Sequence, residues 1–535
     1  RSSKLVHGGL RYLQMLDFKL VHEALSERDL LLTSVAPHLV RPLPFLYPLK
    51  HRVWERAFVG AGIALYDCLA ALSSLGGGNR RAVPWHRHLS RRGVEQVFPS
   101  IARSAAIGAI EYWDANVDDA RYVLTTIRTA VDRGAGAASR TQVTKLTKDA
   151  DGRVNGAIVV DLETGTSIPV RARSVISSTG VWTQESQELA GATDGGLRVL
   201  ASKGVHIVVP RERIAGTVGL IVQTEKSVLF VIPWSRYWVI GTTDTPWAED
   251  LVNPVATSTD IDYLIAKANE VIDQPIDRSD VVGTWAGLRP LLQPATAETT
   301  SSAKVSREHT VASPVPGLVV IAGGKFTTYR VMARDAVDFV LGKDARRRPS
   351  VTRTVPLLGA TGIESAEREL RSAAERFGWS DQLVDHLLHR FGANTREIVD
   401  ICIADESMAT PLAAAPAYLR AEVLYAISHE GAMHLEDILV RRTRIVYEYA
   451  GAGLDVLDEI AGIAAPALGW TEEQAERERQ DYTAIVLAER AAAEEPDDAS
   501  AMRVRDAAGD VVPMVDPDAP GDRPRSGARS AAPTA

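Results

Sequence analysis

Leu318-Val319-Val320-Ile321-Ala322-Gly323-Gly324-Lys325-Phe326-Thr327-Thr328-Tyr329-Arg330 is the stretch on which the fold turns. Its first five residues are an apolar run that reads as a short buried strand. Beyond Arg330, the residues Val331, Met332, Ala336, Val337, Phe339 and Val340 recur at helical spacing. The reading is strand, glycine turn, helix. Two glycines let the backbone approach a ligand with no Cβ in the way. Thr327 or Thr328 can cap the helix start. Free N–H groups and the positive dipole end then face whatever lies in the turn. An anion fits there, and so does a ring that gains negative charge on reduction, as a flavin does. The same pattern also serves as a plain tight connection, and this stretch alone does not choose between the two.

The chain has 535 residues, room for about three domains. It is 45% hydrophobic, enough for a large core, and its net charge of −8 leaves no global nucleic-acid footprint. Cys68 and Cys402 are the only cysteines and neither sits in a CxxC. No zinc or other metal site and no disulfide framework is expected, which fits a reducing, cytoplasmic compartment. The first residue is Arg1, and Ser2-Ser3-Lys4 resembles no signal peptide. The chain is expected to be a fragment lacking its true N-terminus.

Residues 1–12 read as a polar loop entering a helix, and Leu20, Val21, Ala24 and Leu25 form a helical face behind Asp17 as N-cap. Residues 52–75 are a further helix candidate. Asp67 and the serines interrupt the roughly 20 apolar residues a membrane span wants, so it reads as a buried or interfacial helix. His86 and His88 lie in a basic segment that reads as a solvated face. Residues 118–133 read as a helix with Ala120, Val123, Leu124, Ile127 and Val131 as its packed face, closed by Arg133 and Gly134. Strands are expected from there to Val175-Ile176, and again at 228–232 and 238–240. Residues 260–272 read as a helix. Beyond about Pro349 helical faces follow one another and strands vanish. In 435–449, acidic and arginine residues read as a salt-bridged helix face. From about residue 493 the chain is rich in Pro, Asp, Ser and Arg and is expected to be disordered.

Six motifs carry a resemblance: residues 2–12 (SSKLVHGGLRY), 117–121 (VDDAR), 203–206 (KGVH), 241–244 (GTTD), 287–291 (GLRPL) and 323–330 (GGKFTTYR). In this order and spacing they resemble the FAD-dependent, aerobic type of glycerol-3-phosphate dehydrogenase family, over residues 1 to about 485. Val205 and Ser177-Ser178 depart mildly from the family pattern. The resemblance implies an α/β fold: a Rossmann-like FAD-binding domain with an interleaved β-rich substrate domain, plus a C-terminal all-α domain. The expected segments are 1–40, 117–205 and 286–349 for FAD, 41–116 and 206–285 for the substrate domain, 350–492 for the helical domain and 493–535 for the tail. The family's GxGxxG unit for the FAD pyrophosphate has no match in the right context here. It is expected to precede Arg1, so that residues 1–535 alone would fail to retain FAD.

The resemblance also implies the chemistry. The substrate is sn-glycerol 3-phosphate, oxidised to dihydroxyacetone phosphate by hydride transfer from C2 to FAD. Arg11, Tyr12, Arg307 and Lys325 would gather round the substrate, since a guanidinium fork suits a phosphate. His206 is the preferred general base, its ordinary pKa lying near 6.5. Arg289, too weak an acid to act as a base, would stabilise developing negative charge. Ser2, Ser3, Lys4, His7, Thr179, Gly180, Gly323, Gly324, Lys325, Phe326 and Thr327 would line the cofactor. The family passes electrons to membrane quinone from the inner face of the cell membrane, which implies a cytoplasmic, peripherally membrane-associated protein, with a homodimer as one arrangement. Other readings stand beside this one: a glycerol-3-phosphate oxidase using oxygen, another amine or amino-acid oxidase of the same superfamily, or a non-enzymatic binding protein.

Overall fold

The computed structural model describes residues 2–51, 53–77, 82–192, 196–224, 228–293 and 309–516. Its centre is a mixed ten-stranded sheet. The strand Arg198–Pro210 lies deep in that sheet, paired antiparallel with Tyr237–Gly241 on one side and Gly283–Gln293 on the other. Its side chains alternate between two cores, as the period of two demands. Val205, Ile207 and Val209 join one apolar cluster. Val208, with Val239 and Trp285, joins the other. Burial on both faces explains why the second half of this strand, Val205 and Ile207 to Val209, is rich in β-branched residues on both sides. Leu5–Val6 pairs with Gly108–Val117, so the first residues are pinned against the sheet rather than left as a free loop.

A second, three-stranded sheet holds Val175–Ser177 parallel to Leu318–Gly323, with His309–Val315 antiparallel on the far edge. The register sets Val320 opposite Ser177, so the turns after Ser177 and after Ala322 emerge side by side at the carboxyl ends of two parallel strands. The expected strand–turn–helix at 318–340 is present: the helix runs Tyr329–Leu341. Neither threonine caps it by side chain. Thr327 exchanges hydrogen bonds with the backbone of His7 instead. A neighbouring sheet of Thr141–Lys148, Val154–Asp161 and Thr166–Arg171 packs Leu146, Val154 and Ala157 on Leu318 and Val320.

Asp17 caps Phe18–Leu30, burying Leu20, Val21, Ala24 and Leu25 as expected. The helix Asp119–Asp132 is present, but it packs through the opposite face from the one expected. Arg121, Tyr122, Thr125 and Thr129 are buried, while Val123, Ile127 and Val131 are exposed. Charge and hydrogen bonding decide this: Arg121 pairs with Glu430, and Arg128 donates to the Tyr425 hydroxyl, both from the helical domain. The expected breaks at 205/206 and 285/286 fall inside single strands of the large sheet.

From residue 363 on, amphipathic helices dominate, the first being Ile363–Phe377, ended by Gly378 in the left-handed region. Strands do not vanish there: Pro411–Leu412 and Ala415–Leu419 form a hairpin. The tail is not disordered throughout. Asp498–Asp506 is a helix capped by Asp497, and it buries Ala501 and Met502 against Trp247 and Val255. Its few apolar residues find a ready-made site on the large sheet, which composition cannot reveal. The rest of the tail, 517–535, lies outside the described residues.

Candidate active site

Antiparallel pairing places Trp285 opposite His206, Gly287 opposite Gly204 and Arg289 opposite Ser202. Alternation puts all six on one face of the sheet. The middle pair has no Cβ, which leaves a shallow trough on this face beside the imidazole, and the Arg289 guanidinium lies in it over Gly204. Gly204 is needed for a second reason: a Cβ there would meet Arg289 Nη2 at 2.5 Å and Thr242 Oγ1 at 2.6 Å. The Arg289 side chain therefore folds back across the glycine, along the strand toward His206. Arg289 is held by the turn after Tyr237–Gly241. It donates to Thr242 Oγ1 at 2.9 Å and to the Thr243 carbonyl at 3.1 Å, and pairs with Asp244 at 3.3 Å. Ser202 donates to the same Asp244 oxygen at 2.5 Å.

His206 is buried and stacks on Trp285, with centroids 5.3 Å apart and planes 16° apart. Its Nε2 lies 2.9 Å from the Ser3 hydroxyl, while Nδ1 has no hydrogen-bond partner among the described residues. Burial, and then the positive charges of Arg289 and Lys4, hold its pKa well below the usual 6.5. The imidazole is neutral at physiological pH.

The Ser2–Lys4 loop is fixed from below by Asp119. That carboxylate accepts from Ser2 Oγ at 2.7 Å and from Lys4 Nζ at 2.6 Å. Lys4 lies over Trp234 and Trp285. Burial works against its charge, but Asp119 and Asp118 raise its pKa above the ordinary value. The chain then runs to His7, whose backbone meets Thr327. Ser3 and His7 are four positions apart, at most about 14 Å of extended chain. The His206 trough and the Gly323–Thr328 turn are thus parts of one site. Gly8 is held by the Tyr66 hydroxyl at 2.8 Å and by Asp114 at 3.2 Å.

Gly323 and Gly324 have φ of +76° and +82°, which only glycine adopts readily. Lys325 Nζ lies 3.7 Å from the centre of the Tyr12 ring, and Phe326 packs edge-on to Tyr122. On the adjacent strand end, Gly180 has φ of +60° with open space where its Cβ would be, and Thr179 hydrogen-bonds Ser177 and Ser186. Arg11 opens the short helix Arg11–Gln14; its side chain, and Arg307 entirely, lie outside what the structure describes. The structure thus brings His206, Arg289, Ser2, Ser3 and Lys4 together, ties His7 to Thr327 and sets Tyr12 with Lys325. Sequence reading assigned no role to Trp285, Asp119, Thr242 or Asp244. The last three stood inside the motifs quoted above; Tyr66 and Asp114 carried no signal. Among the described residues no group of three or more His, Cys, Asp or Glu side chains is arranged to hold a metal.

A family model described as FAD dependent oxidoreductase matches residues 1–338, and one described as the C-terminal domain of alpha-glycerophosphate oxidase matches residues 350–475. Glycerol-3-phosphate dehydrogenase 2 of Mycobacterium tuberculosis is 48% identical over 506 residues, covering 94% of this chain and 84% of that protein. The mitochondrial glycerol-3-phosphate dehydrogenase of Mesocricetus auratus is 32% identical, covering 91% and 68%. Among solved structures, the glycerol-3-phosphate dehydrogenase of Bacillus halodurans complexed with FAD superposes with a TM-score of 0.70 at 25% identity, covering 91% and 86%. With these matches spanning both the sheet domains and the helical domain, the chain belongs to the FAD-dependent glycerol-3-phosphate dehydrogenase family.

Proposed function

We propose that the protein oxidises sn-glycerol 3-phosphate to dihydroxyacetone phosphate and passes the electrons to membrane quinone. The observation that carries this is the trough itself: on one sheet face, a buried neutral imidazole beside a fixed guanidinium that lies over a Cβ-free pair. The residues fit a flavin. Two glycine turns stand side by side at parallel strand ends, with open space at Gly180 and an unpartnered buried nitrogen on His206. Ser2, Ser3, Lys4, His7, Thr179, Gly180, Gly323, Gly324, Lys325, Phe326 and Thr327 would hold it. Bound FAD supplies the hydride acceptor.

The chain's own residues do the rest. Tyr12 and Lys325 take the phosphate end, with Arg11 and Arg307 as further candidates. The trough beside His206 and Arg289 takes the carbinol carbon. Neutral His206 accepts the C2 hydroxyl proton as C2 loses hydride. Its low basicity suits a proton that leaves only as the C–O bond gains double-bond character. Arg289 offsets the negative charge on that oxygen, and its contacts with Thr242, Thr243 and Asp244 hold it in place beforehand.

No helix among the described residues is long and apolar enough to cross a membrane. The helix Trp54–Gly77 buries Ile63, Tyr66 and Ala70 but exposes Trp54, Phe58, Leu65 and Leu72 in one row. A row of this kind supports peripheral seating on a bilayer, where quinone is found. The family match of the helical domain to an oxidase favours oxygen as a second acceptor. The deciding assay gives the FAD-loaded protein glycerol 3-phosphate or glycerol, with a soluble quinone analogue, and follows peroxide in parallel. Turnover specific to glycerol 3-phosphate with quinone reduction supports the reading. Equal turnover of glycerol rejects the substrate, and stoichiometric peroxide with no quinone reduction rejects the acceptor.

A further inference from the structure

Away from this site, a cavity of about 380 Å³ opens where the helix Tyr329–Leu341 passes into the segment leading to the helical domain. Four arginines line it: Arg330, Arg334, Arg346 and Arg353, with Ser350 and a single carboxylate, Asp338. Of the carboxylates near it, Glu27 and Asp335 are already engaged, while Asp338 in the lining and the half-buried Glu23 near Arg330 have no ion pair among the described residues. Glu27 holds Arg330 through two hydrogen bonds, at 2.6 and 2.8 Å. Asp335 takes Arg334 at 2.7 Å. Arg353 reaches Glu27 only at 4.0 Å, and Arg346 has no ion pair among the described residues. In sequence Arg346 is flanked by Lys343, Arg347 and Arg348, with Asp344 set against Arg347 at 3.9 Å, in a chain whose net charge is −8. Like charges converging in one concavity repel unless an anion joins them. A hydroxyl relay supplies further polar contacts: Arg330 donates to Thr352 Oγ1 at 3.2 Å, and Thr352 and Ser350 share a hydrogen bond of 2.9 Å.

We propose that this cavity binds a phosphate-bearing anion with at least two negative charges. Guanidinium forks grip phosphate oxygens bidentately, and two of the four are free of short ion pairs to do so. The volume lies at the lower end of small-molecule sites, so a phosphate ester or a diphosphate fills it better than one bare phosphate. The phosphate comes either from a soluble metabolite or from a lipid headgroup. Arg330 and its partner Glu27 tie the cavity to the helix Phe18–Leu30 and to the start of the helix that follows the Gly323–Thr328 turn.

Calorimetric titration of the full chain with inorganic pyrophosphate tests the site, beside cosedimentation with phosphatidylglycerol and phosphatidylcholine vesicles. Saturable pyrophosphate binding that weakens with salt is expected. The double variant Arg346→Ala/Arg353→Ala should bind about tenfold more weakly or worse, and Arg346→Lys/Arg353→Lys should fall between, because an ammonium cannot fork. The control Arg371→Ala/Arg477→Ala, which removes exposed arginines of the helical domain, should bind normally. Arg346/Arg353-dependent binding of pyrophosphate without vesicles assigns a soluble phosphate. The same dependence for phosphatidylglycerol vesicles assigns a headgroup. Absence of binding in both arms, an equal loss in the control, or binding indifferent to Arg346 and Arg353 and displaced by glycerol 3-phosphate overturns the proposal. The last result would place pyrophosphate in the substrate site, independently of whether the proposed oxidation holds.

Discussion

Burial and two neighbouring cations keep the His206 imidazole neutral, and as the base proposed above its lowered pKa would set where activity fails on acidification. A base of this kind is lost as pH falls through its folded-state pKa, which lies below 6.5. The acid limb of kcat/KM should therefore lie below that of a free imidazole. Arg289→Gln removes a positive charge, which lets the His206 pKa rise, so the limb should move to higher pH while kcat falls. An unmoved limb would separate His206 from the proton transfer. His206→Ala should lower kcat by about 10²-fold or more with the fold intact, as steady-state kinetics and circular dichroism would show together. Gly204→Ala is a sharper probe. Its Cβ meets the ends of the Arg289 and Thr242 side chains, not backbone, so the guanidinium and the hydroxyl that holds it both shift and the chain still folds. The expected outcome is a fall in kcat of roughly 10- to 100-fold, near the loss of one oriented charge, with an unchanged melting temperature. His206 and Arg289 were legible in the KGVH and GLRPL motifs. Trp285 and Ser3 as the partners of His206 were not, because a stacking ring and a hydroxyl some 200 positions away in the chain become neighbours only through strand register.

Two helices behave differently from what their composition suggests. Asp498, at the start of the tail helix, pairs with Lys203, which also holds Asp260 at 2.5 Å while almost wholly buried. Lys203 lies on the strand that carries His206, so the tail helix clamps that strand from outside the trough. Asp498→Asn should destabilise the protein by about 2 kcal/mol, as loss of a hydrogen bond to a charged group does, read as a lower urea midpoint. Asp498→Glu should recover part of it; a midpoint unchanged in Asp498→Asn would show the clamp to be idle. The helix Trp54–Gly77 poses the reverse problem: apolar content was plain, but which side was covered was not. Tyr66 accepts from Gly8 and donates to Asp114, fixing the buried side and leaving Phe58 and Leu65 outward. Phe58→Glu/Leu65→Glu should cut vesicle binding about tenfold or more, since two buried apolar side chains contribute a few kcal/mol. Turnover with a soluble acceptor should stay normal. Equal vesicle binding by the variant would assign the row to another partner.

The sheet domains and the helical domain are joined by buried charge. Asp118 takes Arg444 at 2.5 Å and Arg390 at 3.4 Å, and Arg140 reaches Asp437. His434 is fully buried with Glu163 and Glu478 each 2.8 Å away, one on each domain. Burial alone would lower its pKa, but hydrogen bonds and charge from the two glutamates together raise it above 6.5. A raised folded-state pKa gives stability that is full below about pH 6.5 and is lost as pH rises through the folded value. The melting temperature of the wild type should exceed that of His434→Gln most near about pH 6 and by less toward pH 9; a gap constant with pH would mean packing, not charge. Sequence alone determined the strand–glycine–helix at 318–340, the Asp17-capped helix and the family, because these depend on local periodicity, turn chemistry and contiguous motifs. Tertiary structure decided which side of Asp119–Asp132 is buried, that Asp498–Asp506 packs, and that Gly204 and Gly287 face each other between His206 and Arg289. Each of those depends on partners far away in the chain, where ion pairing and register outweigh the local apolar pattern.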